Sequence, residues 1–310
     1  MRWLITGGRG MLAADLLHRI ALTGEPVLAP GRDELDLRDA RAVRDLVRAY
    51  RPRVVVNCAA WTAVDLAETR EAEALEINGT AVRTLAEVCE RSGARLVHLS
   101  TDYVFDGTSA DPYPEDAEPR PLNAYGRTKL AGERAALEQG QYVVRTAWLY
   151  GAGGPNFVST MTLLAATRPE VEVVDDQRGQ PTWSADLADH LVRLARSDLP
   201  PGVYHAASSG ETTWYGLARE VFALLGEDPD RVRPVPSAGF PRPARRPANS
   251  LLASTRTEPL RPWRDALHAA WPVLHGQALP VGQAKGGVPK AGLGDGRAIT
   301  SGRAAGKAGS

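Results

Sequence analysis

The chain has 310 residues, enough to bury a sizeable core as one large α/β domain or as one domain with a smaller lobe. Its 37 acidic and 37 basic side chains balance, which removes any global electrostatic argument for nucleic acid or an anionic membrane as a partner. Cys58 and Cys89 make no disulfide framework, no apolar run reaches the ~18–20 residues of a membrane span, and the first residues lack a secretory signal, so a cytoplasmic protein is expected.

Residues 2–6 read as a short apolar strand running into Gly7, Gly8 and Gly10, after which Leu12, Leu16, Leu17 and Ile20 recur at helical spacing. In the pattern Gly7-x-x-Gly10-x-x-Ala13, Gly7 permits a sharp turn. Gly10 lets the backbone approach a pyrophosphate at the helix N-terminus, and Ala13 is small enough for close helix–strand packing. A Gly turn alone says little, but its place between a first strand and a helix points to a dinucleotide. A second strand, residues 26–29, ends in Pro30-Gly31-Arg32-Asp33, about twenty residues past the motif, where the adenosine ribose is read. Arg32 suits a 2′-phosphate and therefore NADPH, while Asp33 beside it leaves NADH open. Asp36 reads as a turn residue or an adenine-side contact, the local pattern favouring the turn, and Asp39 is placed to cap a helix over 40–50.

Residues 53–57 form a third, β-branched strand ending in Asn57-Cys58-Ala59-Ala60-Trp61, small residues against which a ligand can lie close to the backbone. Residues 65–91 read as one helix ending before Gly93, and 94–100 as the fourth strand. The βα alternation predicts right-handed crossovers in a doubly wound parallel sheet, with the ligand crevice beyond the carboxyl ends of the strands, where Thr101 lies. Residues 107–120, rich in Pro and acid, read as a surface loop beside the pocket. Pro121 stands near the start of the next helix, in which Tyr125 and Lys129, four residues apart, share a face. A hydroxyl to polarise a carbonyl, a phenol to supply the proton and an ammonium to lower the phenol's pKa are what ketone reduction by hydride requires. Tyr-x-x-x-Lys by itself is common; after a Ser-Thr strand end and the Gly motif it becomes specific.

The fifth strand is read at 142–148, a helix at 158–167, a short strand at 171–174 and a polar loop at 175–182. Ser184 is a candidate cap for a helix over 185–196, and a strand follows at 203–206. Thr212 or Thr213 caps a helix to residue 225, and 263–271 is a last amphipathic helix. The weaker alternation suggests a dinucleotide-binding unit over 1–150 and a smaller substrate-binding lobe over 151–276, some of whose segments return to the first unit. Residues 277–310, rich in Gly, Ala and Lys, are expected to be disordered. His98, His190 and His205 show no metal-ligand spacing.

The segments TGGRGMLA, GRDELDL, NCAAWTAVDLAE, LSTDYVFDG, PLNAYGRTKLAGE, VVRTAWLYG, NFVSTM, DDQRGQPT and RPANSLL resemble the extended short-chain dehydrogenase/reductase superfamily. Within it they resemble the dTDP-4-dehydrorhamnose reductases, over about residues 1–272. The resemblance implies a Rossmann-type α/β fold with a C-terminal substrate lobe. It implies Thr101, Tyr125 and Lys129 as the catalytic set and Gly7, Gly10, Met11 and Leu12 under the pyrophosphate. Asp36, Leu37, Ala59, Ala60 and the adjoining Trp61 would lie on the cofactor side with Arg32, Tyr125 and Lys129. Asp102, Tyr103, Trp148, Asn156, Arg246 and Asn249 would contact substrate, a Trp face suiting sugar or base and an Arg a diphosphate. Read from the residues alone, Trp148 is simply buried, and Arg242, Arg245 and Arg246 form a solvated basic loop. Ala13 stands where the family usually has Gly, and Trp61 where Tyr is frequent.

The related 4,6-dehydratases carry Asp-Glu after the Thr for eliminating water; Asp102-Tyr103 here favours simple reduction. The implied activity is NADPH-dependent reduction of the C4 ketone of dTDP-4-dehydro-β-L-rhamnose by a monomer or homodimer. One rival is a reductase or epimerase for another nucleotide sugar, as in antibiotic deoxysugar assembly. Another is a non-catalytic NADP-binding regulatory subunit like the methionine adenosyltransferase accessory proteins, against which the intact Thr101, Tyr125 and Lys129 speak. A Mg2+ ion can bridge subunits in the family, but no local ligand cluster is visible in the sequence.

Overall fold

The computed structural model describes residues 1–276, and its centre is a sheet of six parallel strands. They are β1 (Trp3–Thr6), β2 (Val27–Leu28), β3 (Val54–Asn57), β4 (Arg95–Thr101), β5 (Tyr142–Thr146) and the strand Gly202–His205. In space β2 is followed by β1, β3, β4, β5 and then Gly202–His205. The short apolar runs take this form because both faces of each are covered. Trp3, Ile5, Val54, Val56, Val97 and Leu99 pack with α1 (Met11–Ala21) and the helix Ser184–Arg196. Leu4, Val55 and Leu96, one residue out of phase, pack with α2 (Ala40–Tyr50) and the helix Ala81–Ser92. Each such side chain contributes roughly 1.5–3 kcal/mol over leaving it in water. The result is the doubly wound, Rossmann-type α/β fold.

β1 has β2 on one side and β3 on the other, so the winding reverses there. A crevice opens beyond the carboxyl ends of β1, β3 and β4, carrying Gly7, Ala59 and the Thr101 end. The strand Gly202–His205 joins β5, and the helix Ser184–Arg196 lies on the α1 side, so residues beyond 150 complete the sheet and one of its layers. A second core forms around Tyr150, Met161, Val171, Phe222, Trp263 and Leu267. It is built from the helices Phe157–Thr167, Trp214–Leu224 and Trp263–Gly276 and the parallel pair Val171–Val174 with Val232–Val235. The segment 277–310 read as disordered lies outside the described residues.

Some elements depart from the sequence reading. The single helix expected over 65–91 is four pieces: Val64–Ala67, Glu71–Leu75, a π-helical turn Glu76–Thr80, and Ala81–Ser92. The π turn presents Asn78, which accepts the Trp61 N–H at 2.8 Å and donates to the Trp61 carbonyl and the Thr128 hydroxyl, each at 3.1 Å. One extra residue in a turn hardly disturbs apolar periodicity, so the pattern runs through it. Ser184 is not a cap but the first helical residue, its hydroxyl donating to Asp15 Oδ2 at 2.5 Å. The fifth strand stops at Thr146, because Trp148 takes a left-handed backbone with φ of 44°. Asp39 and Thr213 do cap their helices, accepting from Arg41, Ala42 and Gly216 N–H groups.

Candidate active site

The site begins with how closely one helix approaches β4. The helix Ala124–Glu138 starts after Asn123, whose side chain accepts the Gly126 N–H at 2.8 Å and donates to the Arg245 carbonyl at 2.8 Å. Two glycines set the approach. A Cβ on Gly126 would lie 2.2 Å from the Tyr103 carbonyl oxygen, and one on Gly132 would lie 2.1 Å from that of Asn78. At this separation Lys129 Nζ donates to the Leu99 carbonyl at 2.6 Å. Thr101 Oγ1 donates to Asp102 Oδ1 at 2.9 Å and accepts the Tyr103 N–H at 3.1 Å, and the Tyr125 phenol lies close to it. The Tyr103 and Tyr125 rings meet edge to face, with centroids 6.1 Å apart. The structure thus brings Thr101, Asp102, Tyr103, Tyr125 and Lys129 together.

Burial dominates the electrostatics here. It draws the Lys129 ammonium down to about 8, opposed by the charge of Glu133. The Tyr125 phenol is raised above its usual range by burial and by Asp102, against the nearby Thr101 hydroxyl. The Lys129 ammonium is engaged with the Leu99 carbonyl, and the phenol keeps its proton. Burial also pushes the Asp102 carboxyl up to about 6, against the hydrogen bond from Thr101, and its Oδ2 lies buried without a partner.

On the side of the Gly turn, α1 begins after Gly10 without any side-chain cap, so its first amides, at Met11 and Leu12, are open donors. Gly7 sits at φ of 70°, and a Cβ there would meet the Ala59 nitrogen at 2.8 Å. Asn57 staples the same two strand ends, accepting the Thr6 hydroxyl at 2.6 Å and the Ala59 N–H at 3.2 Å. Ala59, Ala60 and Trp61 follow, half-buried. Open amides, a missing Cβ and small neighbours make a cradle that fits a dinucleotide pyrophosphate. Arg32 is exposed at the edge of this cradle. Arg9 lies over Gly31 and pairs with Asp33 at 2.6 Å; it is a second cation beside this segment that the sequence reading passed over, although it stands inside the Gly motif. Asp36 takes the turn role: its carboxylate holds the Arg38 backbone and guanidinium, which keep it down at about 2, and Leu37 is buried in the core beneath.

On the far side, the Trp148 ring stacks on Trp214 with centroids 3.6 Å apart, while Gly179 leaves room for it: a Cβ there would fall 2.2 Å from the indole. Arg246 is no solvated loop cation. It is paired with Asp65, with Nη2 to Oδ2 at 2.9 Å, and donates to the Ala244 carbonyl at 2.6 Å. Asp65 was legible only as part of the WTAVDLAE segment, and nothing local marks Trp214 as a partner for Trp148.

Two residues expected at the substrate face inward instead. Asn156 caps the helix Phe157–Thr167, with Nδ2 donating to the carbonyls of Gly151 at 2.7 Å and Gly154 at 2.9 Å. Asn249 donates to the Ser109 carbonyl at 2.8 Å and accepts the Leu251 N–H at 3.1 Å. Both amides spend their polar atoms on backbone. Asn156→Ala is therefore expected to lower unfolding free energy by about 1–2 kcal/mol, read from a shifted denaturation midpoint; an unchanged midpoint would show that the cap is idle.

Among the described residues, no group of three His, Cys, Asp or Glu side chains is placed to hold a metal ion, and no helix is long and apolar enough to cross a membrane.

Compared with known proteins, residues 1–274 match the RmlD substrate binding domain family. The chain is 53% identical over 289 residues to a dTDP-4-dehydrorhamnose reductase of Streptomyces griseus, covering 89% of this chain and 95% of that one. It is 50% identical to a dTDP-4-keto-6-deoxy-D-glucose reductase of Streptomyces niveus, covering 88% and 98%. Its fold superimposes on the crystal structure of dTDP-4-dehydrorhamnose reductase from Bacillus anthracis in complex with NADP, with a TM-score of 0.85 and 34% identity over 88% and 99% of the two chains.

Proposed function

We infer the activity from kinship and geometry together: the chain belongs to the dTDP-4-dehydrorhamnose reductase family, and it is an NADPH-dependent oxidoreductase of dTDP-sugar biosynthesis. The proposed reaction is reduction of dTDP-4-dehydro-β-L-rhamnose at C4 to dTDP-β-L-rhamnose. The observation that carries it is the close seat of the Tyr125 helix on the end of β4, with Lys129 held on Leu99 and the Tyr125 ring edge to face with Tyr103, two residues past Thr101.

The Gly7–Gly10 turn and the open Met11 and Leu12 amides would hold NADPH, which would supply the hydride for the ketone carbon. Tyr125 transfers its phenolic proton to the ketone oxygen, and its raised pKa keeps that proton in place until the oxygen becomes basic. The Lys129 ammonium stabilises the phenolate left behind and orients the cofactor ribose. Thr101, turning its hydroxyl from Asp102, donates to the ketone oxygen and polarises it. Asp102 and Tyr103 face the sugar, Arg246 is aimed by Asp65 toward the diphosphate, and Trp148 offers a flat face backed by Trp214. Arg9 and Arg32 at the ribose end favour the 2′-phosphate of NADPH over NADH.

A second reading, reduction of a different dTDP-4-keto-6-deoxysugar, is favoured by the Streptomyces niveus relative, whose identity is within a few per cent of the Streptomyces griseus one. The test is oxidation of NADPH and NADH by the purified chain with a panel of dTDP-4-keto-6-deoxysugars. Fastest turnover of dTDP-4-dehydro-β-L-rhamnose with NADPH is expected. Faster turnover of another sugar selects the second reading, and no oxidation with any of them defeats both.

A further inference from the structure

The helix Ala124–Glu138 presents one more side chain to β4. Glu133 stands one turn beyond Lys129 and accepts the Ser100 hydroxyl on Oε1 at 2.5 Å. Its carboxylate is also held by two parallel bonds from Arg145 of β5: Nε to Oε1 at 2.9 Å and Nη2 to Oε2 at 2.7 Å. The pair is sealed from water, the two side chains being 1% and 3% exposed. Arg145 is fixed in turn. Its guanidinium lies over the Phe105 ring at 5.0 Å, and Nη1 faces His205 Nε2 at 3.4 Å and the Glu115 carbonyl at 3.5 Å. His205 spends Nδ1 on the Ala253 carbonyl at 3.0 Å, which leaves Nε2 to accept from Arg145.

The spacing is the informative part. Tyr125, Lys129 and Glu133 lie on successive turns of one helix face; Lys129 and Glu133 bond Leu99 and Ser100, consecutive residues at the end of β4, and Tyr125 lies by the next one, Thr101. A helix bound at two consecutive strand residues from successive turns has a fixed register against that strand. Stability is a poor account of the pair, because a buried ion pair gives up hydration that apolar side chains of similar volume would not have to surrender. We propose that Glu133, held by Arg145, is a positioning residue of the reduction, locking the catalytic helix to β4 in the register that sets Tyr125 against Thr101 and facing the Lys129 ammonium with a carboxylate. The proposal rests on the reductase reading above.

The groups facing Lys129 from each element are Cys58 beyond β3, His98 of β4, and Tyr125 and Glu133 of its own helix. Burial keeps Cys58 a thiol, at about 12, and His98 a neutral imidazole, and Tyr125 keeps its proton; Asp102 faces Tyr125. Among these neighbours Glu133 is the charged one that opposes loss of the Lys129 proton. Removing a negative charge disfavours an ammonium, so Lys129 would deprotonate at lower pH and the alkaline limb of activity would move toward acid.

The experiment is the pH dependence of kcat and of NADPH binding for the full chain and three variants. Glu133→Gln is expected to lower kcat about tenfold and to move the alkaline limb down by about one pH unit. Glu133→Asp keeps the charge but shortens the reach, so kcat falls while the limb stays. Glu133→Gln with Arg145→Met removes the pair without stranding a buried cation, and it should fold and still show the moved limb. A folded Glu133→Gln or double variant with wild-type kcat and limb overturns the proposal. So does a limb in Glu133→Asp that moves as far as in Glu133→Gln. A wild-type chain that binds NADPH but reduces no keto sugar defeats the reductase reading instead, and the binding limb, which follows Lys129 at the cofactor ribose, still decides the role of Glu133.

Discussion

Tyr125→Phe is expected to lower kcat by about 10²–10⁴-fold, the range that positioned acid catalysis supplies, while NADPH still binds and the fold is unchanged. The substitution removes one oxygen. The ring that meets Tyr103 edge to face remains, and so does the helix that carries it, so the loss isolates the proton donor from the packing. The raised pKa of the phenol sharpens the expectation, since wild-type activity should show no acidic loss from Tyr125 itself and should fall on the alkaline side, where the Lys129 proton leaves, at about 8. Measured kcat for NADPH oxidation, with cofactor affinity from fluorescence, checks it. A Phe variant of full activity would remove Tyr125 from the chemistry. If its residual rate then followed a group titrating at about 6, Asp102 would be the donor, because it is the buried acid with a free oxygen at the same strand end.

Gly126→Ala should be almost as damaging, although it adds one methyl group to a helix. In an open helix the change would gain about 1 kcal/mol from propensity. Here the new Cβ would fall 2.2 Å from the Tyr103 carbonyl oxygen and 2.9 Å from Pro121 Cβ, and a backbone oxygen in the tight turn after β4 cannot swing aside as a side chain would. The helix must back away, carrying Tyr125 and Lys129 from Thr101 and Leu99. Overpacking of this kind costs about 1–3 kcal/mol, and a displacement near 1 Å at reacting groups costs on the order of 10²-fold in rate. Chemical denaturation and kcat measured on one preparation give both numbers. Gly239→Ala, where nothing lies within 4 Å of the added carbon, is the matched control. If Gly126→Ala behaves like that control, the close approach is not what positions the site.

The two substitutions mark the division between what one segment encodes and what several segments encode together. The hydroxyl at the end of β4, the phenol and ammonium one turn apart, and the small residues of the Gly turn are each a spacing within a single element. Local rules read them directly, and the strand and helix patterns around them place the crevice. Asp36 is the instructive intermediate: the local turn pattern identified its role, and Arg38, two residues on, supplies the partner. Asn156 and Asn249 went the other way. The family resemblance implied them as substrate contacts, and only the positions of Gly151, Gly154 and Ser109 show that their amides are bonded to backbone.

What the chain's order of residues determined by itself is therefore the α/β architecture, the Gly turn between the first strand and helix, and the placing of Thr101 at a strand end with Tyr125 and Lys129 on one helix face, because periodicity and spacing are properties of neighbours along one segment. Tertiary structure alone decided that a π turn frees Asn78 for Trp61, that Arg246 answers to Asp65, that Trp148 is backed by Trp214, and that Glu133 pairs with Arg145 behind the catalytic strand. Each of these joins side chains from separate elements. A buried polar or aromatic group takes whichever partner packing brings within reach, and the free energy of that choice depends on desolvation and distance in space, which no local pattern records.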